Sequence, residues 1–118
     1  MKVTIKYLAE FQRLAKDLKR KYKSFKDDYD TFLDELERNP FGGEPLGHHT
    51  YKNRMAIASK GKGKSGGARV ITYNVKQVTE DEVVITLMTV YDKNASDINN
   101  LMRQLLNRSG DGSSVISE

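Results

Sequence analysis

The hydrophobic pattern of this chain changes its period near Asn39-Pro40, and that change limits the folds open to it. Before this point, apolar residues recur at the three- and four-residue spacing of amphipathic helices. After it, they lie in short runs that are rich in β-branched residues, and the run at 82–90 predicts a strand central in a sheet. Since 118 residues leave room for one modest core, helices and sheet must share that core.

The first part of the chain predicts a short strand and then two antiparallel helices joined by a turn. The strand is Lys2–Tyr7, where apolar and polar residues alternate. The two helical stripes are Leu8, Phe11, Leu14, Ala15, Leu18 and Tyr22, and then Phe25, Tyr29, Phe32, Leu33 and Leu36. Asn39 ends the second helix, because a residue before proline is pushed out of the α region.

The second part predicts a sheet and a final helix. After a loop at 41–50, strand-like runs lie at 51–58, 69–75 and 82–90, and the last two are joined by a turn at 79–81. A further helical pattern over 95–108 has the stripe Ile98, Leu101, Met102, Leu105 and Leu106. The sequence therefore predicts one α+β domain over 1–108, in which an N-terminal helical pair packs on a small antiparallel sheet with a C-terminal helix. Residues 109–118 are predicted to be a disordered tail.

Positive charge is concentrated in one segment, whose centre reads K-G-K-G-K-S-G-G-A-R at 60–69. Residues 45–79 contain seven Lys or Arg and no Asp or Glu, so this stretch is +7 in a chain of +4 and the remainder is −3. A positive field without local counter-charge attracts phosphates, which favours a nucleic-acid partner. A generally basic protein without such a partner is the alternative.

Composition argues against several other classes of protein. The chain has no cysteine, which excludes disulfides and Cys-ligated metals. It has neither an apolar run of the ~20 residues that span a membrane nor the apolar core of a signal peptide, so a cytoplasmic location without a membrane partner is expected. His48 and His49 have no acidic residue nearby to support a metal site, so no metal or cofactor is expected, and a role in proton transfer stays open.

The glycine–lysine loop, residues 60–67, has three possible interpretations. A nucleotide-binding P-loop is disfavoured, because Ala58 stands where a glycine is needed and a strand follows the loop instead of a helix. A solvated hairpin loop without a role is the second. The third, which we favour, is a loop that contacts phosphates, because Arg54 and Arg69 lie on the adjoining strands. The expected phosphate-binding lysines are Lys52, Lys60, Lys62 and Lys64.

Four segments together resemble the RelE/ParE superfamily of bacterial toxins, and most of all its HigB-like or RelE-like branch. They read N-P-F-G-G-E-P-L-G, Y-K-N-R-M-A, K-G-K-G-K-S-G-G-A-R-V-I and V-Y-D-K-N-A-S-D-I, and the resemblance covers about residues 3–106. It implies the toxin of a type II toxin–antitoxin pair, with an antitoxin, the ribosome and mRNA as partners. RelE-like members cut mRNA in the ribosomal A site, which implies a metal-independent endoribonuclease. ParE-like members inhibit DNA gyrase, and a non-catalytic nucleic-acid-binding module is a further alternative.

The resemblance also implies catalytic residues. Arg54 falls where the first sheet strand of the family carries basic residues, Arg69 matches the arginine of the next strand, and Lys93 lies near the basic residue after the last strand. Tyr91 would supply an aromatic or acid–base group, although it can equally be a half-buried aromatic residue. Asp92-Lys93 stands where the family commonly has a histidine–arginine pair. The arginines suit the charge that builds on a phosphorane, because a guanidinium fork holds two phosphate oxygens.

Overall fold

A computed structural model describes residues 1–77 and 81–94, which form two helices and five strands. The helices are α1 (Ala9–Lys21) and α2 (Phe25–Arg38). The strands are β1 (Lys2–Tyr7), β2 (Glu44–Gly47), β3 (Thr50–Met55), β4 (Ala68–Gln77) and β5 (Glu82–Asp92). Neither helix of this described part reaches the length and apolarity that a membrane crossing needs.

The two helices form where the sequence predicts them. Each carries charges that suit its dipole, with Glu10 in the first turn of α1 and Asp27 and Asp28 in the first turn of α2. The last helical residue of α2 is Arg38, directly before Asn39-Pro40, as the proline rule predicts. The apolar stripes face the sheet and bury Phe11, Phe25, Phe32 and Leu36 in the main core.

The sheet has the order β1-β5-β4-β3-β2 and is mixed. β5 pairs in parallel with β1 and antiparallel with β4, and the two remaining pairs are antiparallel. β5 is an interior strand, as its apolar run predicts, and its side chains are largely buried on both faces.

The predicted fold class is wrong in its sheet, although the α+β class holds. Hairpin connections predict antiparallel pairing, but most of the chain lies between β1 and β5, and such a long connection allows a parallel pair. Glu44–Gly47 also forms a strand within the predicted loop. No helix follows the sheet within 1–77 and 81–94. The predicted helix at 95–108, the tail at 109–118 and most of the turn at 79–81 lie outside the described residues.

An irregularity in the β4–β5 pairing decides which face Tyr91 occupies. Val83, Ile85 and Leu87 point into the main core under the helices. The register shifts between Ile71 and Thr72, so that one residue of β5 is unpaired and Val90 returns to the core. The shift leaves Tyr91 on the opposite face, with Ile71 and Met88. A bulge of this kind re-aims a side chain, and it puts Tyr91 on the same face as Arg69.

Candidate functional site

Two arginines and a tyrosine form a row across three neighbouring strands. Arg54 of β3 pairs with Arg69 of β4, and Arg69 pairs with Tyr91 of β5. Residues directly opposite each other in an antiparallel pair have Cβ atoms about 4.5–5.5 Å apart. Two guanidinium groups and a phenol therefore meet on the sheet face that points away from the helices.

This row borders an open cleft of about 940 Å³. β2 pairs with β3 only as far as Lys52, so no strand of the described part lies beside the rest of β3 on that edge. The cleft is lined there by the C-terminal half of α2 and by the row of Arg54, Arg69 and Tyr91. Among residues 1–77 and 81–94, six cationic side chains line the cleft: Arg38, Lys52, Arg54, Lys64, Arg69 and Lys93. Two acidic ones, Glu35 and Glu44, lie among them. The cleft thus has a clear excess of positive charge.

Most of the site residues predicted from the sequence line this cleft. Lys52, Arg54, Lys64, Arg69, Tyr91 and Lys93 are among its lining residues, whereas Lys60 and Lys62 are not. Sequence reasoning missed Arg38, Glu35 and Glu44. The motif residues N-P-F-G-G-E include Glu44, but no signal in the sequence tells that α2 brings Glu35 and Arg38 to the same place.

Arg69 braces the glycine–lysine loop. Its side chain is buried, with Nη1 donating to the carbonyls of Lys64 at 3.0 Å and Ala68 at 3.1 Å, and Nη2 donating to that of Ser65 at 3.2 Å. Burial and then the neighbouring Arg54 lower the pKa of Arg69, yet a guanidinium keeps its charge in proteins. Three of the five N–H donors hold backbone, so Arg69 presents only its remaining donors to a ligand.

Arg54 differs from Arg69 because its guanidinium is open to solvent and is not engaged with the glycine–lysine loop. It is exposed, and no acidic side chain of the described residues forms an ion pair with it. Its charge also disfavours the protonated form of Arg69. Arg54 is therefore the cation of the row that a bound anion reaches most directly.

Tyr91 is a neutral hydroxyl in this setting. Burial raises its pKa, Arg69 opposes this rise, and Glu44 adds to it. The phenol keeps its proton at neutral pH, so it can donate a hydrogen bond or a proton but cannot act as a base. In acid–base catalysis, Tyr91 is therefore limited to the role of the general acid.

Acidic residues from outside 45–79 partly neutralise that stretch in space. Lys52 lies 3.6 Å from Glu44, Lys64 lies 2.9 Å from Glu35, and Lys60 lies 2.7 Å from Asp92. The first two pairs are at the protein surface, whereas the Lys60–Asp92 side chains are only 10% and 13% exposed. The field expected from the sequence alone is thus weaker than +7, and Arg54 is among the cations of this stretch without an ion pair to a described residue.

Lys60 belongs to a partly buried polar cluster at the base of the loop. Its Nζ donates to Oδ1 of Asp92, and the Tyr22 hydroxyl donates to Oδ2 at 2.5 Å. Burial alone would raise the pKa of Asp92, but the hydrogen bonds from Lys60 and Tyr22 outweigh it and lower the pKa to about 2. Lys60 therefore ties the loop to α1 and β5 and does not project into the cleft. Lys62 is exposed.

The turn between the helices also holds the start of the loop. The Ser24 hydroxyl accepts a hydrogen bond from the Ser59 amide at 2.9 Å, and an Asp28 carboxylate oxygen accepts one from the Ala58 amide at 3.0 Å. At the other end, the Gly67 carbonyl accepts from the Lys93 amide at 3.0 Å. The loop is thus braced at both ends, unlike a hairpin loop that only meets solvent.

The two histidines lie away from the cleft. His48 and His49 both have left-handed backbone angles, with φ of 53° and 64°, in the turn between β2 and β3. The His49 ring packs edge-on against Tyr73 at 6.0 Å. Neither residue lines the cleft, and in residues 1–77 and 81–94 no group of three or more His, Cys, Asp or Glu side chains could hold a metal ion.

No protein-family model matches this chain. The resemblance to RelE/ParE toxins rests on the sequence motifs. Function has to be argued from the cleft, its charges and the chemistry that they allow.

Proposed function

We propose that the basic cleft is the active site of an endoribonuclease that cuts ribosome-bound mRNA without a metal ion. The observation that carries this proposal is the row Arg54–Arg69–Tyr91 at the border of a cleft lined by six cationic side chains. Fixed cations at this density attract phosphates. The motifs that resemble RelE-like toxins favour RNA as the strand.

RNA binding exchanges counter-ions at the rim of the cleft. Surface ion pairs contribute about 0–1 kcal/mol each, so a backbone phosphate replaces Glu44 on Lys52, or Glu35 on Lys64, at small cost. Arg54 needs no such exchange. A strand in the cleft can therefore contact Arg54 directly, whereas binding to Lys52 or Lys64 first displaces a carboxylate.

Cleavage without a metal uses the ribose 2′-OH as the nucleophile on the adjacent phosphate, and the 5′ oxygen of the next nucleotide leaves. Arg54 and the remaining donors of Arg69 stabilise the negative charge that builds on the phosphorane. Lys93 adds a cation where β5 ends. Tyr91, which is protonated, donates to the leaving 5′ oxygen.

The general base is assigned to Glu44. Of the described side chains that line the cleft, only the carboxylates of Glu35 and Glu44 are basic without first losing a proton. Glu44 is electrostatically coupled to Tyr91, whose pKa it raises. When RNA displaces it from Lys52, its carboxylate is free to accept the 2′-OH proton.

A site of this composition depends on substrate orientation. A carboxylate base and a phenol acid are weak catalysts in isolation, and a ribosome that holds the message in an attack-ready geometry supplies the missing acceleration. In this proposal the chain acts in the cytoplasm as the toxin of a toxin–antitoxin pair. Its antitoxin is a partly acidic protein that neutralises the basic surface, and association is faster at low salt.

Primer extension on a translated message, after brief expression of the chain, tests the proposal. The expected result is new 5′ ends inside codons, together with growth arrest, and neither with Arg54→Ala. Cleaved or relaxed DNA in a gyrase assay, with intact messages, would instead support a ParE-like inhibitor. RNA binding without any cutting would support a non-catalytic binding module.

A further inference from the structure

The N-terminal part of the chain carries a second concentration of positive charge. Residues 1–26 contain nine Lys or Arg and two acidic residues, Glu10 and Asp17, so this segment is also +7. The acidic residues that follow lie in 27–44, where seven Asp or Glu face one Arg. Positive charge on the helical side is therefore concentrated along β1 and α1, whereas most of α2 is acidic.

An apolar pocket of about 240 Å³ opens between α1, α2 and the end of β1. Its walls include the aromatic rings of Tyr7, Phe11, Phe25 and Tyr29. Phe25 and Tyr29 are stacked with an interplanar angle of 4°, and the Tyr7 side chain at the mouth is 54% exposed. A large aromatic side chain that stays half exposed beside an apolar pocket offers a free ring face to a ligand.

Cations and one amide surround the mouth of this pocket. Lys16 and Lys19 line it and form no ion pair with any acidic side chain of the described residues, whereas the third lysine, Lys26, pairs with Asp30 at 3.4 Å. Gln12 also lines the pocket and supplies both a donor and an acceptor. The ligand that matches these groups is planar, largely apolar on its faces, polar at its edge and joined to negative charge.

We propose that this pocket binds one unstacked base of single-stranded nucleic acid, whose flanking phosphates lie on Lys16 and Lys19. Single-strand binding sites combine aromatic stacking surfaces with cations that follow the backbone, and both features meet here. The volume is below the roughly 300–1,000 Å³ of sites that enclose a whole drug-sized ligand, so a single base is a better match than a long apolar segment.

This surface is separate from the proposed cutting site. None of the residues that line the aromatic pocket lines the basic cleft. The pocket is thus a second binding site for a nucleic-acid strand, and it can bind the strand that occupies the cleft or a different one. This inference holds whether or not the cleft cuts RNA.

Fluorescence anisotropy with a labelled single-stranded oligonucleotide, titrated into the full chain, tests this inference. Tyr7→Ala should weaken binding about tenfold, which is what the loss of one stacked base implies, and Tyr7→Phe should retain it. Replacing Lys16 and Lys19 together with alanine should also flatten the dependence of affinity on salt, by about 1.4 in the log–log slope. The RNA and DNA versions of the oligonucleotide show whether the 2′-OH contributes.

Matched controls separate this site from the basic cleft and from non-specific charge. Arg13→Ala and Arg20→Ala each remove an exposed α1 cation that already pairs with an acidic residue and does not line the pocket, so they should change affinity little. A photoreactive base in the oligonucleotide should crosslink to the β1–α1 peptide in the wild type and in Arg54→Ala alike. If Tyr7→Ala binds as tightly as wild type, or no crosslink maps to this peptide, the inference is wrong.

Discussion

Lys60 and Lys64 are four residues apart in the same loop, and the structure uses them in opposite ways. Lys60 is partly buried against Asp92 and Tyr22, where it holds the loop to the rest of the fold. Lys64 is half exposed, pairs with Glu35 at the surface and lines the basic cleft. The lysines of this repeated glycine–lysine pattern therefore do not form one functional unit. The first lysine stabilises the fold, and the third lines the basic cleft.

The largest expected effect is on stability, at Lys60. Lys60→Met leaves the Asp92 carboxylate buried beside the Tyr22 hydroxyl without its cation. Breaking a fully buried pair by removing one partner costs about 3–5 kcal/mol, and because this pair is only partly buried we expect the lower end, about 3 kcal/mol. Urea unfolding measures it, with the exposed Lys62→Met as the matched control. Equal unfolding free energies for the two variants would refute the architectural role of Lys60.

Arg69 should combine both kinds of role. Arg69→Ala removes a cation from the cleft and the three hydrogen bonds that brace the loop. We expect single-turnover cleavage on saturating ribosomes to fall about 100-fold or more, with a smaller loss of ribosome affinity. Arg69→Lys should rescue only partly, because an ammonium cannot reproduce the planar fork. Wild-type cleavage by Arg69→Ala would remove Arg69 from the mechanism.

The Asp92 cluster should also appear in the acid stability of the protein. The pKa of Asp92 is depressed in the folded state, from an ordinary 3.8 to about 2. A depressed carboxyl pKa contributes stability above the unfolded value, which is lost as the pH falls towards the folded value. About 2 kcal/mol should therefore disappear between about pH 4 and pH 2. In Asp92→Asn, the free energy of unfolding should not show this loss between about pH 4 and pH 2. If the variant and the wild type have the same pH dependence of stability, the role of Asp92 is refuted.

The smallest expected effect is at Lys64, and it should be on binding alone. Lys64→Ala should lower the salt slope of RNA affinity by about 0.7, the value for one phosphate contact with a single strand. Its unfolding free energy should change by less than about 0.5 kcal/mol, because surface substitutions have little packing to lose. Lys62→Ala, outside the cleft lining, is the control. The comparison fails if both variants give the same slope.

Local sequence patterns predict much of this fold. The stripes of α1 and α2, the proline that ends α2 and the apolar run of β5 are all short-range signals, and each element forms near its predicted place. The parallel pairing of β1 with β5 was missed, because it joins the two ends of the described chain and leaves no local trace. β2 was missed because E-P-L-G has the composition of a loop.

In the candidate site, too, local sequence signals predicted some features, and others depend on contacts between distant residues. Successive side chains of a strand point to opposite faces of the sheet, and Arg54 of β3 is paired with Arg69 of β4, so the two arginines share a face. This placement could be expected from their positions in the two neighbouring strand-like runs. The bulge that aims Tyr91, and the acids that meet Lys52, Lys60 and Lys64, depend on contacts between distant parts of the chain. Counting charges along the sequence therefore overestimated the free positive field of the loop.

The most direct test of the account is single-turnover cleavage of ribosome-bound mRNA by Arg54→Ala, compared with Arg20→Ala. Both variants remove one exposed arginine, but Arg54 lines the basic cleft, whereas Arg20 lies on α1 and pairs with Asp17 at 3.2 Å. If the cleft is the cutting site, Arg54→Ala should cut at least about 100-fold more slowly than the wild type, while Arg20→Ala should cut at the wild-type rate. Equal rates for the two variants, with both folded and bound to ribosomes, would contradict the claim that this cleft is the cutting site.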